Sequence, residues 1–248
     1  MYRSIYDLKD FYSSPSGIMT QRVIGRQVQN WWPTVKALRV VGIGYAQPYL
    51  NHFLPEAERV IAISPAGQGV YPWPNNEHNL TALSEESELP IESNSVDRVL
   101  LIHSLESAEL LRSNLQEIWR ILKSTGRLIV ITPNRRGLWA RAEWSPFGHG
   151  TPFSQDQLRF FLRDSLFVYE QSCSTLYTPP LRWNLIREAS DTLERVLPYI
   201  LPGMGGVHMV EASKQLYSGL AKPIENKIIV RGRHTAVNPI PGMRETHS

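Results

Sequence analysis

The sequence predicts an α/β fold with a doubly wound, mostly parallel seven-stranded sheet and helices on both faces. Three observations carry the prediction. Seven short apolar runs recur along the chain, several closed by glycine or proline. The run Val96–Ile102 is almost continuously apolar, as a strand covered on both faces must be. Segments with helical spacing separate several of the runs, which is the pattern of a parallel sheet built from right-handed crossovers.

Taken in order, residues 1–36 read as a helical lead-in. Its main helix is expected from Met19 to Trp32, after a loop Ser13–Gly17, and Pro33 ends it. The first strand, Leu38 to Gly44, runs into a glycine turn, and Tyr49–Phe53 should belong to the helix that follows, with Pro48 in its first turn. Arg59–Ile63 is a second strand broken by Ser64-Pro65, Leu80–Leu83 a weak third, and Val96–Ile102 the fourth. Leu111, Leu115, Ile118 and Leu122 share one helical face, with Gly126 expected to mark the end of that helix. Arg127–Thr132 is the fifth strand, closed by Pro133. Ser154 is placed to cap a helix containing Leu158. Leu166–Tyr177 is a sixth strand, 183–196 a helix, 197–206 a loop and Val207–Ala212 the last strand. Residues 219–248, with Lys222, Lys227, Arg231, Arg233 and Arg244, read as a flexible basic tail.

Composition narrows the function classes. A formal charge of +3 over 248 residues is too small to suggest a nucleic-acid face. The single cysteine, Cys173, excludes an intramolecular disulfide or a multi-cysteine zinc site. Histidines and carboxylates at metal-ligand spacing are absent, so no metal is expected. The first ten residues lack the apolar core of a secretory signal, and no window approaches the roughly 18 apolar residues of a spanning helix. The expectation is a cytoplasmic protein.

The chemistry-bearing residues of the first half fall at the ends of strands, where open α/β sheets bind ligands. Gly42-Ile43-Gly44-Tyr45-Ala46 follows the first strand; the segments Leu89–Val99 and Leu115–Val130 surround the fourth and fifth. In order and spacing these resemble the class I S-adenosylmethionine-dependent methyltransferases, in particular the subgroup labelled type 11. That family has an LPF-x-x-x-S-F-D segment before strand four and an E-I-x-R-V-L-K-P-G-G-x-L pattern before strand five. The resemblance covers residues 37–134 and implies a Rossmann-like domain over 1–218, with a cofactor-binding half at 37–134 and an acceptor-side half at 135–218.

The resemblance implies S-adenosyl-L-methionine as cofactor. Gly42, Gly44 and Ala46 would pass under its methionine part, where a side chain would take up its space. Ser64 would face the ribose, Glu85 and Ser87 the adenine, and His103 the methionine and the acceptor. His103 is also the candidate general base. Two departures stand out: Val40 and Ser64 occupy positions where the family carries acids, so two charge-assisted contacts are missing. His149 is a weaker candidate in a glycine-rich loop; Tyr6 and Tyr12 could form a lid, and Trp139 and Trp144 could wall an acceptor site. The implied activity is methyl transfer to a small-molecule or protein acceptor. The alternative is a catalytically inactive relative that acts as a binding or assembly partner. A nicotinamide-dependent oxidoreductase fits less well, because Gln47 stands where its third glycine should be and Ser64 where its acid should be.

Overall fold

The computed structural model describes residues 2–75, 78–180 and 185–215. Helices α1 (Ile5–Ser13) and α2 (Pro15–Trp31) precede strand β1 (Arg39–Gly44) and the one-turn helix α3 (Gln47–Leu50). Next come β2 (Arg59–Pro65), β3 (Thr81–Ser84), β4 (Val96–Ile102), α4 (Leu111–Ile121) and β5 (Leu122–Pro133). Two 3-10 turns, Leu138–Arg141 and Pro146–Gly148, lead to α5 (Gln155–Asp164), β6 (Phe167–Thr175), α6 (Leu185–Ile200) and β7 (Val207–Lys214). The sheet order is β3-β2-β1-β4-β5-β7-β6. The first five strands run parallel, while β7 is antiparallel to both β5 and β6. The chain order reverses between β1 and β4, which places the ligand crevice beyond their carboxyl ends.

The continuous apolar character of β4 has a direct cause. Leu100 and Ile102 join the core under α1, α2 and α3, whereas Val99 and Leu101 join the core under α4 and α5. Strand β5 divides in the same way, Ile129 and Ile131 on one face and Leu128 and Val130 on the other. Each such side chain contributes roughly 1.5–3 kcal/mol by leaving water, so both faces must stay covered. That requirement clamps α1 and α2 over the sheet.

Several boundaries differ from expectation. Residues 13–17 are not a loop: Ser14 accepts a bond from the Gly17 amide at 3.2 Å and, with Pro15 behind it, caps α2 directly. The fourth helix stops at Ile121, because Leu122 pairs with Val96 and already belongs to β5. Gly126 then sits within that strand, close to the Leu122 side chain, instead of ending the helix. After the glycine turn the helix carries Pro48 in its first turn as expected, but it is four residues long and ends at Leu50, short of Phe53. Helix α6 continues through Pro198 to Ile200, into the expected loop. Ser154 caps α5 as anticipated, with a full capping box to Gln157. The basic tail expected at 219–248 and the helix start at 183 lie outside the described residues.

Candidate functional site

The floor of the crevice is the contact between β1 and β4. Gly44 has φ +86°, and a Cβ there would lie 2.0 Å from the Ile102 carbonyl oxygen. The next amide, of Tyr45, donates to that same carbonyl at 3.0 Å. A Cβ on Gly42 would lie 2.5 Å from the Ala46 Cβ and 2.6 Å from Leu50 Cδ1. Gly42, Gly44 and fully buried Ala46 therefore serve a packing demand within the fold. Neighbouring protein atoms alone already require small residues here, beside any demand of a cofactor.

His103 ends β4 in the left-handed region, φ +54°, and is 4% exposed. Its Nε2 lies 2.8 Å from the Tyr12 hydroxyl and its Nδ1 3.4 Å from Glu106 Oε1. The ring rests on Phe147, with centroids 4.8 Å apart. Tyr12 in turn stacks on Tyr45 and shares a 2.9 Å hydrogen bond with the Tyr49 hydroxyl. Burial first, then the neighbouring phenols, hold the Tyr12 hydroxyl well above its usual ionisation range. The imidazole is thus not open to solvent; both ring nitrogens face protein groups, in the order Glu106, His103, Tyr12.

The structure separates the residues expected around ribose and adenine. Ser64 is fully buried at the end of β2. Glu85 and Ser87 are exposed, and the side chain turned inward between them is Glu86. Its carboxylate accepts from the Tyr2 and Ser104 hydroxyls and from the Asn114 amide, the last at 2.9 Å. Burial raises the Glu86 carboxyl above the usual range, and those donors oppose the shift. Sequence reasoning missed Glu86 because inward and outward positions cannot be told apart in the polar stretch 84–88. It also missed Glu106 and Gln68, whose importance comes from contacts across the chain. Val40 is 1% exposed within the apolar core, with no polar setting for a carboxylate.

Other expected residues lie elsewhere. His149 is exposed and donates to the Glu143 carbonyl at 2.6 Å within its own loop. Trp139 is core, its indole N–H donating to the Thr178 carbonyl at 2.8 Å. Trp144 lines a groove of about 460 Å³ with Asp7, Asp10 and Phe11. Tyr6 points outward at 65% exposure, so of the two lid tyrosines only Tyr12 reaches the site. Burial pushes the Cys173 thiol up to about 12, which leaves it protonated and a poor nucleophile. Among the described residues no group of three histidine, cysteine or acidic side chains could hold a metal ion.

Whether the residues fit a cofactor is decided by polar atoms buried without a partner. Gln47 (both amide atoms), Ser64 Oγ, Gln68 Oε1 and Glu106 Oε2 are all in this state. They come from the segments at the carboxyl ends of β1, β2 and β4, which is where the sheet topology directs a ligand. Buried polar groups are normally satisfied, and each exception costs about 1–3 kcal/mol. A ligand with hydroxyls and amines, such as S-adenosylmethionine, carries the groups that would satisfy these four side chains. The amino-terminal segment lies over them: the Ile5 amide donates to the Gln68 carbonyl at 2.8 Å, and the Gln68 amide donates to the His103 carbonyl at 3.2 Å. A cavity of about 210 Å³, bordered by Tyr12, Tyr45, Gln47, Tyr71 and Trp73, remains beside them.

Comparison with known proteins agrees with this geometry. Residues 40–130 match the family model described as a methyltransferase domain. No curated protein matches the sequence. Among solved structures, the Haloferax volcanii protein described in complex with the Trm112 methyltransferase activator is 17% identical, with a TM-score of 0.61 over 86% of this chain and 99% of its own. An S-adenosylmethionine-dependent methyltransferase of Thermotoga maritima is also 17% identical, with a TM-score of 0.58 over 85% of this chain and 96% of its own. One from Mesorhizobium loti is 13% identical, with a TM-score of 0.54 over 76% and 96%. At such identities the structural likeness speaks for the fold. The chain therefore shares the fold of these solved methyltransferases, and its segment 40–130 is similar to the methyltransferase domain. The matched segment runs from Val40 to Val130, from β1 into β5.

Proposed function

We propose that this protein transfers a methyl group from S-adenosylmethionine to an acceptor bound at the carboxyl ends of β1 and β4. The observation that supports this most is the set of unpartnered buried polar atoms on Gln47, Ser64, Gln68 and Glu106. Ser64 is assigned to the ribose, and the turn Gly42–Ala46 to the backbone floor under the methionine. For the adenine the choice lies among Glu85, Ser87 and the inward-facing Glu86. When bound, the cofactor supplies an electrophilic methyl on a sulfonium. Such a displacement depends mainly on alignment, so the protein has little covalent work to do.

His103 is the proposed general base. With Nδ1 facing Glu106 and Nε2 facing Tyr12, the imidazole is held in one orientation, and a proton leaving an oxygen or nitrogen acceptor would reach Nε2 by way of the Tyr12 hydroxyl. The acceptor-side half, 135–218, is assigned to shaping the acceptor. A protein partner is a subordinate proposal, motivated by the fold shared with the Haloferax protein described with its activator.

The test is isothermal titration calorimetry of the full chain with S-adenosylmethionine and S-adenosylhomocysteine. Saturable binding that weakens in Gln68→Leu, with folding intact, supports the reading. A folded protein that takes up neither ligand refutes it.

A further inference from the structure

The crevice contains two buried carboxylates and a shortage of positive charge. Glu86 is 8% exposed and Glu106 is 6% exposed. They lie close enough for the charge of Glu106 to oppose ionisation of Glu86. Among the described residues, no lysine or arginine forms a salt bridge with either one. Glu106 Oε1 lies 3.4 Å from His103 Nδ1. The two carboxylates are also satisfied to different degrees. Glu86 holds three donors, whereas Glu106 Oε2 holds none.

An ionised carboxylate stays buried when it is paired, and an uncompensated one is costly. The fold nevertheless holds Glu106 firmly in place. Its carbonyl accepts from the Thr151 amide at 2.7 Å, and Gly150, at φ +74°, packs against it so tightly that a Cβ would come within 2.4 Å of that oxygen. A pre-positioned, buried acceptor atom with no partner, on a carboxylate that no described lysine or arginine bridges, suits a cation brought by the ligand. S-adenosylmethionine and S-adenosylhomocysteine both carry one in the α-ammonium of their amino-acid end. Meanwhile Val40, where the family carries an acid, is sealed in the apolar core.

We infer that Glu106 Oε2 binds the α-ammonium of the cofactor while Oε1 orients His103. This rests on the proposed cofactor site and names the residue that discriminates the amino-acid end. One carboxylate then ties cofactor occupancy to the orientation of the imidazole.

The experiment compares two probes by isothermal titration calorimetry on the full chain. S-adenosylhomocysteine carries the ammonium; 5′-methylthioadenosine shares the adenosine and sulfur but lacks it. Wild type should bind S-adenosylhomocysteine more tightly, and Glu106→Gln should erase on the order of 10- to 100-fold of that preference, as loss of a charge-assisted bond does. Its affinity for 5′-methylthioadenosine should stay within about threefold of wild type. Glu106→Asp, which keeps the charge but withdraws it, should fall between the two, and thermal unfolding verifies that both variants fold. Equal loss for both probes, or no loss for either, overturns the assignment. Wild-type binding of both probes with equal strength overturns it too while sparing the cofactor reading; binding of neither overturns both.

Discussion

Substituting Gly44 by alanine tests whether the glycine turn is first a requirement of the fold. At φ +86° an alanine pays about 1–2 kcal/mol for the left-handed backbone. Its Cβ would lie 2.0 Å from the Ile102 carbonyl oxygen, against the 3.4 Å at which ordinary contact begins. The two central strands must therefore separate by about an ångström, which in a packed core costs about 1–3 kcal/mol. Together these give about 2–5 kcal/mol, a large share of the roughly 5–15 kcal/mol that holds a domain together. Chemical denaturation without ligand should show this loss, and the melting temperature should fall by about 5–15 °C. A loss below about 1 kcal/mol would refute the reasoning and return the turn to a purely ligand-facing role. Larger side chains at Gly44 are poor probes of cofactor binding for the same reason, which is why the binding tests above use side chains that border the crevice.

Gly25, inside α2, provides the contrast: a Cβ there finds its nearest neighbour at 3.8 Å. Gly25→Ala should therefore stabilise the protein by about 0.5–1 kcal/mol in the same denaturation assay. Ser64→Ala removes a buried hydroxyl with no partner, so it should leave stability unchanged or slightly higher while weakening S-adenosylhomocysteine several-fold by calorimetry. His208, 5% exposed on β7, is pushed down to about 4, by burial first and by the Arg136 charge second. Because the folded value lies below the unfolded one of about 6.5, its contribution is complete above pH 6.5 and is lost as pH falls toward 4. The full effect is on the order of 3 kcal/mol. Stability measured across that window should lose much of its slope in His208→Gln, and an unchanged slope would count against the assignment.

The strands were legible because the physics behind them is local. Val96–Ile102 is apolar throughout since helices cover both of its faces, and Ser154 with Gln157 forms a capping box written in four consecutive residues. Legibility ended where a decision depended on a distant partner. Leu122 fits the helical face of Leu111, Leu115 and Ile118, yet pairing with Val96 draws it into β5. In the crevice, Tyr12 meets His103 across 91 positions of sequence, and Tyr2 meets Glu86 across 84. No spacing rule anticipates such contacts. Val40 is buried in the apolar core at the start of β1, whereas the buried carboxylate of Glu106 follows the end of β4.

The first twelve residues also have a consequence for kinetics. Tyr2, Ile5 and Tyr12 each hydrogen-bond to a different loop of the crevice, to Glu86, Gln68 and His103 respectively. Ligand entering the proposed site from this side would have to wait for some of these bonds to release, and its uptake would then follow the fraction of time the segment stands open. Measured affinity is then the intrinsic affinity diluted by that fraction. A tag fused to the amino terminus would change the equilibrium even though it touches no ligand atom. A chain trimmed by a dozen residues would leave His103 without its phenolic neighbour.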